Sequence, residues 1–202
     1  MSTNEISTNV KNAFEAVRKT YNSVNKLFAA IDIEAKENGL INIISGQRPF
    51  VRYKSDIDIE GWLINYFIKL YQKADSPPHP KIEEMKLDEF IYGIVISFEI
   101  NPTLIIAKYC FEVENWNYCP PVSDDGSCYW PVQLNFGNKF EFNRKNEFIK
   151  SIPKNEDVRQ RHRLIKYAIF KEINLLDINA DNFKEKIFNG FKELPDLEYF
   201  NE

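Results

Sequence analysis

The residues best placed to do chemistry form a run of acids, Ser55-Asp56-Ile57-Asp58-Ile59-Glu60. On a strand, side chains alternate with a period of two, so Asp56, Asp58 and Glu60 would project from one face. Carboxylates grouped in this way suit Mg²⁺ or Mn²⁺, hard cations that prefer oxygen ligands. A metal held there would neutralise the charge that develops in phosphoryl or nucleotidyl transfer, or in phosphoester hydrolysis. Glu99, inside an apolar run farther along, supplies a third carboxylate for such a site. The same string also has a plainer explanation: solvated acids at a strand edge or helix start, where they discourage edge-to-edge pairing.

A second group is aromatic. Trp116, Tyr118, Tyr129 and Trp130 surround Pro120-Pro121 and Asp124-Asp125-Gly126 in a stretch that reads as a loop between strands. Aromatics carried on a loop make a surface for a ligand or a protein partner. They also make the lid of a core, with their polar tips in water. Cys110, Cys119 and Cys128 are separated by eight residues each, unlike the tight pairs of zinc sites. His79 and His162 are the two imidazoles that could serve a cysteine nucleophile as base. An odd cysteine count and a first segment, MSTNEISTNVK, without an apolar signal core lead us to expect reduced thiols in a cytoplasmic protein.

Charge argues in the same sober direction. Arg159, Arg161, His162, Arg163 and Lys166 form one basic cluster, but Glu156 and Asp157 precede it and the formal net charge is −4. A nucleic-acid partner is therefore not expected, and the cluster reads as a solvated face. With seven glycines and no Walker, Rossmann or HExxH pattern, phosphate-cradling loops and zinc-protease chemistry have no signature here. Glu112, Glu114, Glu141 and Glu172 add acids in or beside strands, without the Asp plus Glu-x-Lys arrangement of nuclease sites.

Ser55-Asp56-Ile57-Asp58 resembles the Ser-Asp-Ile-Asp motif of the nucleotidyltransferase superfamily, over about 15 residues. The resemblance implies Asp56 and Asp58 as metal ligands, Glu99 as the third carboxylate, and Mg²⁺ or Mn²⁺ as cofactor. That family carries a Gly-Ser pair some ten residues upstream. Here Ser45-Gly46 has the reverse order, and Pro49 stands where a helix should begin.

The elements that must position these groups follow from periodicity. Val10, Phe14, Val17, Tyr21, Val24, Phe28, Ile31 and Ala35 recur at alternating steps of four and three, which predicts one helix from about Asn4 to Asn38. Ser2-Thr3-Asn4-Glu5 matches a capping box and Gly39 a stop. Strands are expected at Leu40–Ile44, Phe50–Tyr53, Gly61–Gln72, Phe90–Ile100, Thr103–Val113 and Tyr167–Leu176, with two short ones in Tyr129–Phe142 around Gly137-Asn138. Gly61–Gln72 and Tyr167–Leu176 have enough apolar content for helix or strand, and pairing with their neighbours favours strand. Residues 154–163 fit a loop or a helical turn, and Asp181–Leu194 an amphipathic helix ended by Pro195.

These elements predict a single α+β domain over 1–202. A mostly antiparallel sheet of five to seven strands would pack against a long N-terminal helix and a shorter C-terminal one. At 44% apolar and 28% charged the composition is that of a globular protein. No apolar run reaches the roughly 18–20 residues that cross a membrane. Abundant Ile, Asn and Lys fit an AT-rich bacterial or phage genome. The leading functional expectation is a non-catalytic interaction or ligand-binding domain without a cofactor. Its partner would be a protein or a second copy (a homodimer) engaged through the N-terminal helix, with the aromatic loop as binding surface. The alternative is the metal-dependent enzyme built on Asp56, Asp58 and Glu99.

Overall fold

A computed structural model describes residues 3–43, 51–52, 63–73, 90–113 and 130–200, with the side chains of 3, 4, 51, 52 and 130 outside that description. The chain divides into two compact units, Met1–Glu34 and Ala35–Glu202. Helix α1, Thr3–Glu37, supplies the first unit and leads into the second. Its 35 residues rise about 50 Å. Lys19 and Glu15 pair across one turn at 3.0 Å. The helix stops where the spacing predicts: Gly39 takes φ +69°, and its N–H donates to the Lys36 carbonyl at 3.1 Å. Glycine meets no steric penalty in that left-handed conformation.

The second unit is built on an antiparallel sheet. Its strands are β1 (Leu40–Asn42), β2 (Val51–Arg52), β3 (Tyr66–Lys73), β4 (Phe90–Ser97), β5 (Thr103–Phe111), β6 (Phe140–Lys145), β7 (Phe148–Pro153) and β8 (Ile165–Asn174). Seven follow the order β1-β3-β4-β5-β8-β7-β6, and β2 pairs with β3. The α+β class and the antiparallel sheet are those the sequence predicts. The connectivity is not the simple meander it suggests, because β5 is flanked by β8. The chain leaves β5, returns at the far edge as β6, and steps inward through β7 and β8.

Strands β3 and β5 are buried on both faces, which explains the ambiguity of Gly61–Gln72. All but the last residue of β3, and all but the first of β5, are buried. A strand covered on both sides loses its period-two signal and reads as continuous apolar sequence. One face carries Ile68, Leu70, Ile91, Val95, Ile105, Tyr109, Phe111, Ile149 and Phe170 in a single core, joined by Val132 and Phe140. The other face receives the C-terminal helical stretch, a π turn at Glu185–Asn189 followed by α3 at Gly190–Glu193. There the Phe191 ring meets Tyr92 edge-on at 5.3 Å. Gly190 is needed for this approach: a Cβ at that position would lie 2.4 Å from Ile106 Cδ1.

Two expectations require correction. Residues 130–136 form no strands; Trp130–Val132 and Leu134–Phe136 are 3-10 turns. Pro131 withholds a ladder donor, and burial runs in blocks, with 131–133 buried and 134–135 exposed, instead of alternating. Strand β7 was not anticipated. It completes a hairpin with β6 through Asn146 and Glu147, where Lys145 faces Phe148 and Asn146 adopts φ 54°. Asparagine is among the few non-glycine residues that tolerate that conformation. A short helix α2, Glu156–Arg161, fills the predicted helical turn and is capped by the Asn155 side chain.

Candidate functional site

The register of the sheet assembles a row of polar side chains that no contiguous stretch of sequence contains. Tyr66 lies opposite Ser97, Ser97 opposite Thr103, and Thr103 opposite Asn174. Directly paired residues share a face. With strands about 4.8 Å apart, the row spans roughly 14 Å across β3, β4, β5 and β8. One row inward the sheet turns apolar with Ile68, Val95 and Ile105, and Glu172 closes that line. The polar row is thus where the core of this face ends.

A cleft of about 560 Å³ opens over this end of the sheet. The polar row is its floor. The β4–β5 turn at 99–102 and the 132–135 segment bound it, together with Glu172, Ile173 and Leu176. Large apolar side chains stand at its mouth: Ile100 is 86% exposed, Leu176 77% and Leu134 42%. Among the described residues that line it there is no lysine, arginine or histidine, while Glu99 and Glu172 supply two carboxylates.

Glu99 is held in place by neutral donors. The Tyr66 hydroxyl donates to one carboxylate oxygen and Asn135 Nδ2 to the other at 3.3 Å. The Glu99 backbone N–H donates to Ser97 Oγ at 3.3 Å, and Thr103 Oγ1 donates to the Asn101 carbonyl at 2.9 Å, which pins the turn. Glu172 accepts from Arg144 Nη2 at 3.4 Å. Gln133 is 7% exposed, and its Nε2 is buried without an acceptor among the described residues.

Of the sequence-predicted site residues, Glu99 is brought into this cleft. Asp56, Asp58, Trp116, Tyr118 and Tyr129 lie outside the described residues, as does the Trp130 side chain, while the Trp130 backbone begins a 3-10 turn. Among the described residues, no group of three His, Cys, Asp or Glu is placed to hold a metal ion. Cys110 is buried in β5, and Cys119 and Cys128 fall outside the description. Tyr66, Ser97, Thr103, Gln133, Asn135 and Asn174 were not singled out from sequence. Their signal was weak: polar residues at strand ends, which mean little until strand order and register are known.

Two members of the basic cluster, Arg159 and His162, are taken up within the fold. Arg159 bridges two carboxylates, Glu156 at 2.7 Å and Glu112 at the end of β5. The hydrogen bonds from Arg159, then those from Gln160, hold the Glu156 carboxyl below its usual range, and the bond to Glu156 raises the Arg159 guanidinium. His162 is buried, its ring 5.0 Å from that of Phe140. A second, smaller depression of about 340 Å³ lies between β1 and the C-terminal helix, lined by Leu40, Lys73, Tyr92, Phe188, Phe191 and Lys192 among others.

No helix among the described residues is long and apolar enough to cross a membrane. No protein-family model matches the chain, and it matches none of the curated proteins or solved structures with which it was compared.

Proposed function

We propose that this protein is a non-catalytic binding domain that takes its ligand in the cleft over the Tyr66–Ser97–Thr103–Asn174 row. The observation that carries the reading is the Gln133 amide. A buried donor with no acceptor costs about 1–3 kcal/mol, and the residue that carries this covered donor belongs to the wall of a cleft whose floor is hydroxyls, amides and a fixed carboxylate. Such a cost is recovered when a ligand supplies the acceptor. The volume falls within the range of small-molecule sites, and an apolar mouth with a few convergent polar groups is their usual composition.

The test is a titration of the ¹⁵N-labelled protein with a panel of cationic, neutral and anionic small molecules. Compounds that occupy the cleft shift the amides of Ser97, Glu99, Thr103 and Leu134 together. A panel in which none does so refutes the reading. Mn²⁺ belongs in the same panel: tight binding that is lost in Asp58→Ala would favour the metal-dependent enzyme instead.

A second surface supports the protein-partner reading. Ile6, Val10 and Phe14 recur every four residues along the first turns of α1 and are exposed, Phe14 by 72%. Contact with a second copy through this stripe would bury it. Sedimentation at micromolar concentration tests that: a wild-type dimer converted to monomer by Phe14→Glu supports it, and a wild-type monomer removes it.

A further inference from the structure

The geometry points to an organic cation as the ligand of the cleft: a primary ammonium or guanidinium group on an apolar stem, with a carbonyl-type acceptor beside it. This rests on the binding-cleft reading and gives it a chemical class. Glu99 decides the sign. Its two oxygens accept from the Tyr66 hydroxyl and the Asn135 amide, which fix the carboxylate's direction but carry no charge. No cationic side chain among the described residues pairs with it. Several other carboxylates of the same unit have such partners: Glu112 and Glu156 share Arg159, Glu147 and Glu193 share Lys171, and Asp196 takes Lys108 at 2.9 Å. An oriented carboxylate without a counter-ion among the described residues sets a negative potential in the cleft; Glu172, on the same wall, is paired with Arg144 at 3.4 Å and adds little to it.

The remaining features fix the rest of the ligand. An anion would meet the Glu99 carboxylate and, among the described residues of the lining, no cation to hold it. A neutral polyol would satisfy the hydroxyls and amides but would displace water from Glu99 without replacing the charge compensation that water gives. An ammonium or guanidinium group does both, as a charge-assisted partner for Glu99. The unpaired Gln133 Nε2, on a residue of the same cleft wall, asks for an acceptor, which a carbonyl on the ligand provides. Ile100, Leu134 and Leu176, exposed at the mouth, cover an aliphatic stem. The same chemistry occurs in a free alkylamine and in the arginine or lysine side chain of a peptide.

Calorimetry and ¹⁵N titration with four probes separate these cases: 1-hexylamine, N-acetyl-leucyl-argininamide, 1-hexanol and hexanoate. Both cations are expected to shift the cleft amides, with affinity that falls as salt rises. Glu99→Gln, which removes the charge and keeps one acceptor oxygen for Tyr66 or Asn135, is expected to weaken both at least tenfold. Tighter binding by the dipeptide assigns the source to a peptide, and tighter binding by hexylamine assigns it to a free amine. Hexanol or hexanoate bound as well as hexylamine, or an unchanged affinity in Glu99→Gln, overturns the cation assignment and leaves the cleft reading intact. If no probe shifts the cleft amides, both fall.

Discussion

Gln133→Met tests the central energetic claim without any ligand. The Gln133 side chain is almost wholly buried, in the turn between the two 3-10 segments, and its Nε2 has no acceptor among the described residues. Methionine matches its length and unbranched shape and removes the amide, so packing against the core changes little. The cost of the unpaired donor, about 1–3 kcal/mol, should then be recovered in large part. Allowing about 1 kcal/mol for imperfect packing, the ligand-free variant should be more stable by roughly 1 kcal/mol, or about 2–4 °C in Tm for a protein of this size. Urea unfolding followed by circular dichroism, with the slope m unchanged, measures it. A loss of more than about 1 kcal/mol would show that the amide is paired in the folded protein, and the argument for the cleft would lose its support. The same variant should bind N-acetyl-leucyl-argininamide more weakly, so stability and binding move in opposite directions.

Three further outcomes follow from packing and charge. Gly190→Ala places a methyl group 2.4 Å from Ile106 Cδ1, and overpacking of about 1–3 kcal/mol should outweigh the gain of up to about 1 kcal/mol in helix propensity; in an Ile106→Val background, which removes Cδ1, the same substitution should become neutral or stabilising, and equal penalties in both backgrounds would contradict the contact. Lys108 is 7% exposed at its side chain and pairs with an exposed Asp196, so Asp196→Ala, which strands the ammonium, should cost about 1–3 kcal/mol while Lys108→Met costs less than about 1 kcal/mol in thermal unfolding; the reverse order would show that the ion pair itself holds the C-terminal segment. Because hydrogen bonds from Arg159 and Gln160 lower the Glu156 carboxyl from its usual 4.5, its contribution is present above that value and is lost as pH falls through the lowered one; the stability difference between wild type and Glu156→Gln should shrink in urea series run from pH 7 to pH 3, and a constant difference would exclude this linkage.

The sequence carried the elements better than their arrangement. The 4-3 stripe of α1 and Gly39 mark that helix nearly to the residue, because the period is long and the stop chemistry is local. Phe90–Ser97 and Thr103–Phe111 are equally plain, joined by Asn101-Pro102. The β5–β8 neighbourhood is invisible in the sequence, since it pairs residues such as Cys110 and Tyr167 that lie far apart along the chain. Residues 130–136 misled because alternating Trp, Val, Leu and Phe imitate a strand, whereas the second predicted strand corresponds to the start of β6 at Phe140. Their true basis is tertiary: Val132 and Phe140 enter the core beneath, while Pro131 and the exposed Leu134 and Asn135 interrupt any ladder. Strand β7 hid behind Lys150 and Ser151, polar residues that are nonetheless buried.

The site was legible in one residue, Glu99, and for a reason different from its place in the cleft. It was singled out as a carboxylate near a strand end, suited to a metal; in the structure its oxygens meet a phenol and an amide. That difference separates two chemistries. A metal-binding carboxylate needs a second and a third acid converging on one point at about 2.1 Å per ligand. A carboxylate that recognises an organic cation needs orientation by neutral donors and the absence of a competing lysine or arginine. Tyr66 and Asn135 supply the first condition, and among the described residues the lining of the cleft has no lysine or arginine. Both conditions come from strand ends brought level by register: Tyr66 begins β3, Ser97 ends β4, Thr103 begins β5 and Asn174 ends β8. Each is an unremarkable place for a polar residue in its own strand. Together they form a floor that gives up core area, beside a wall where the Gln133 donor is unpaired, and a ligand that supplies charge and acceptor together would compensate both.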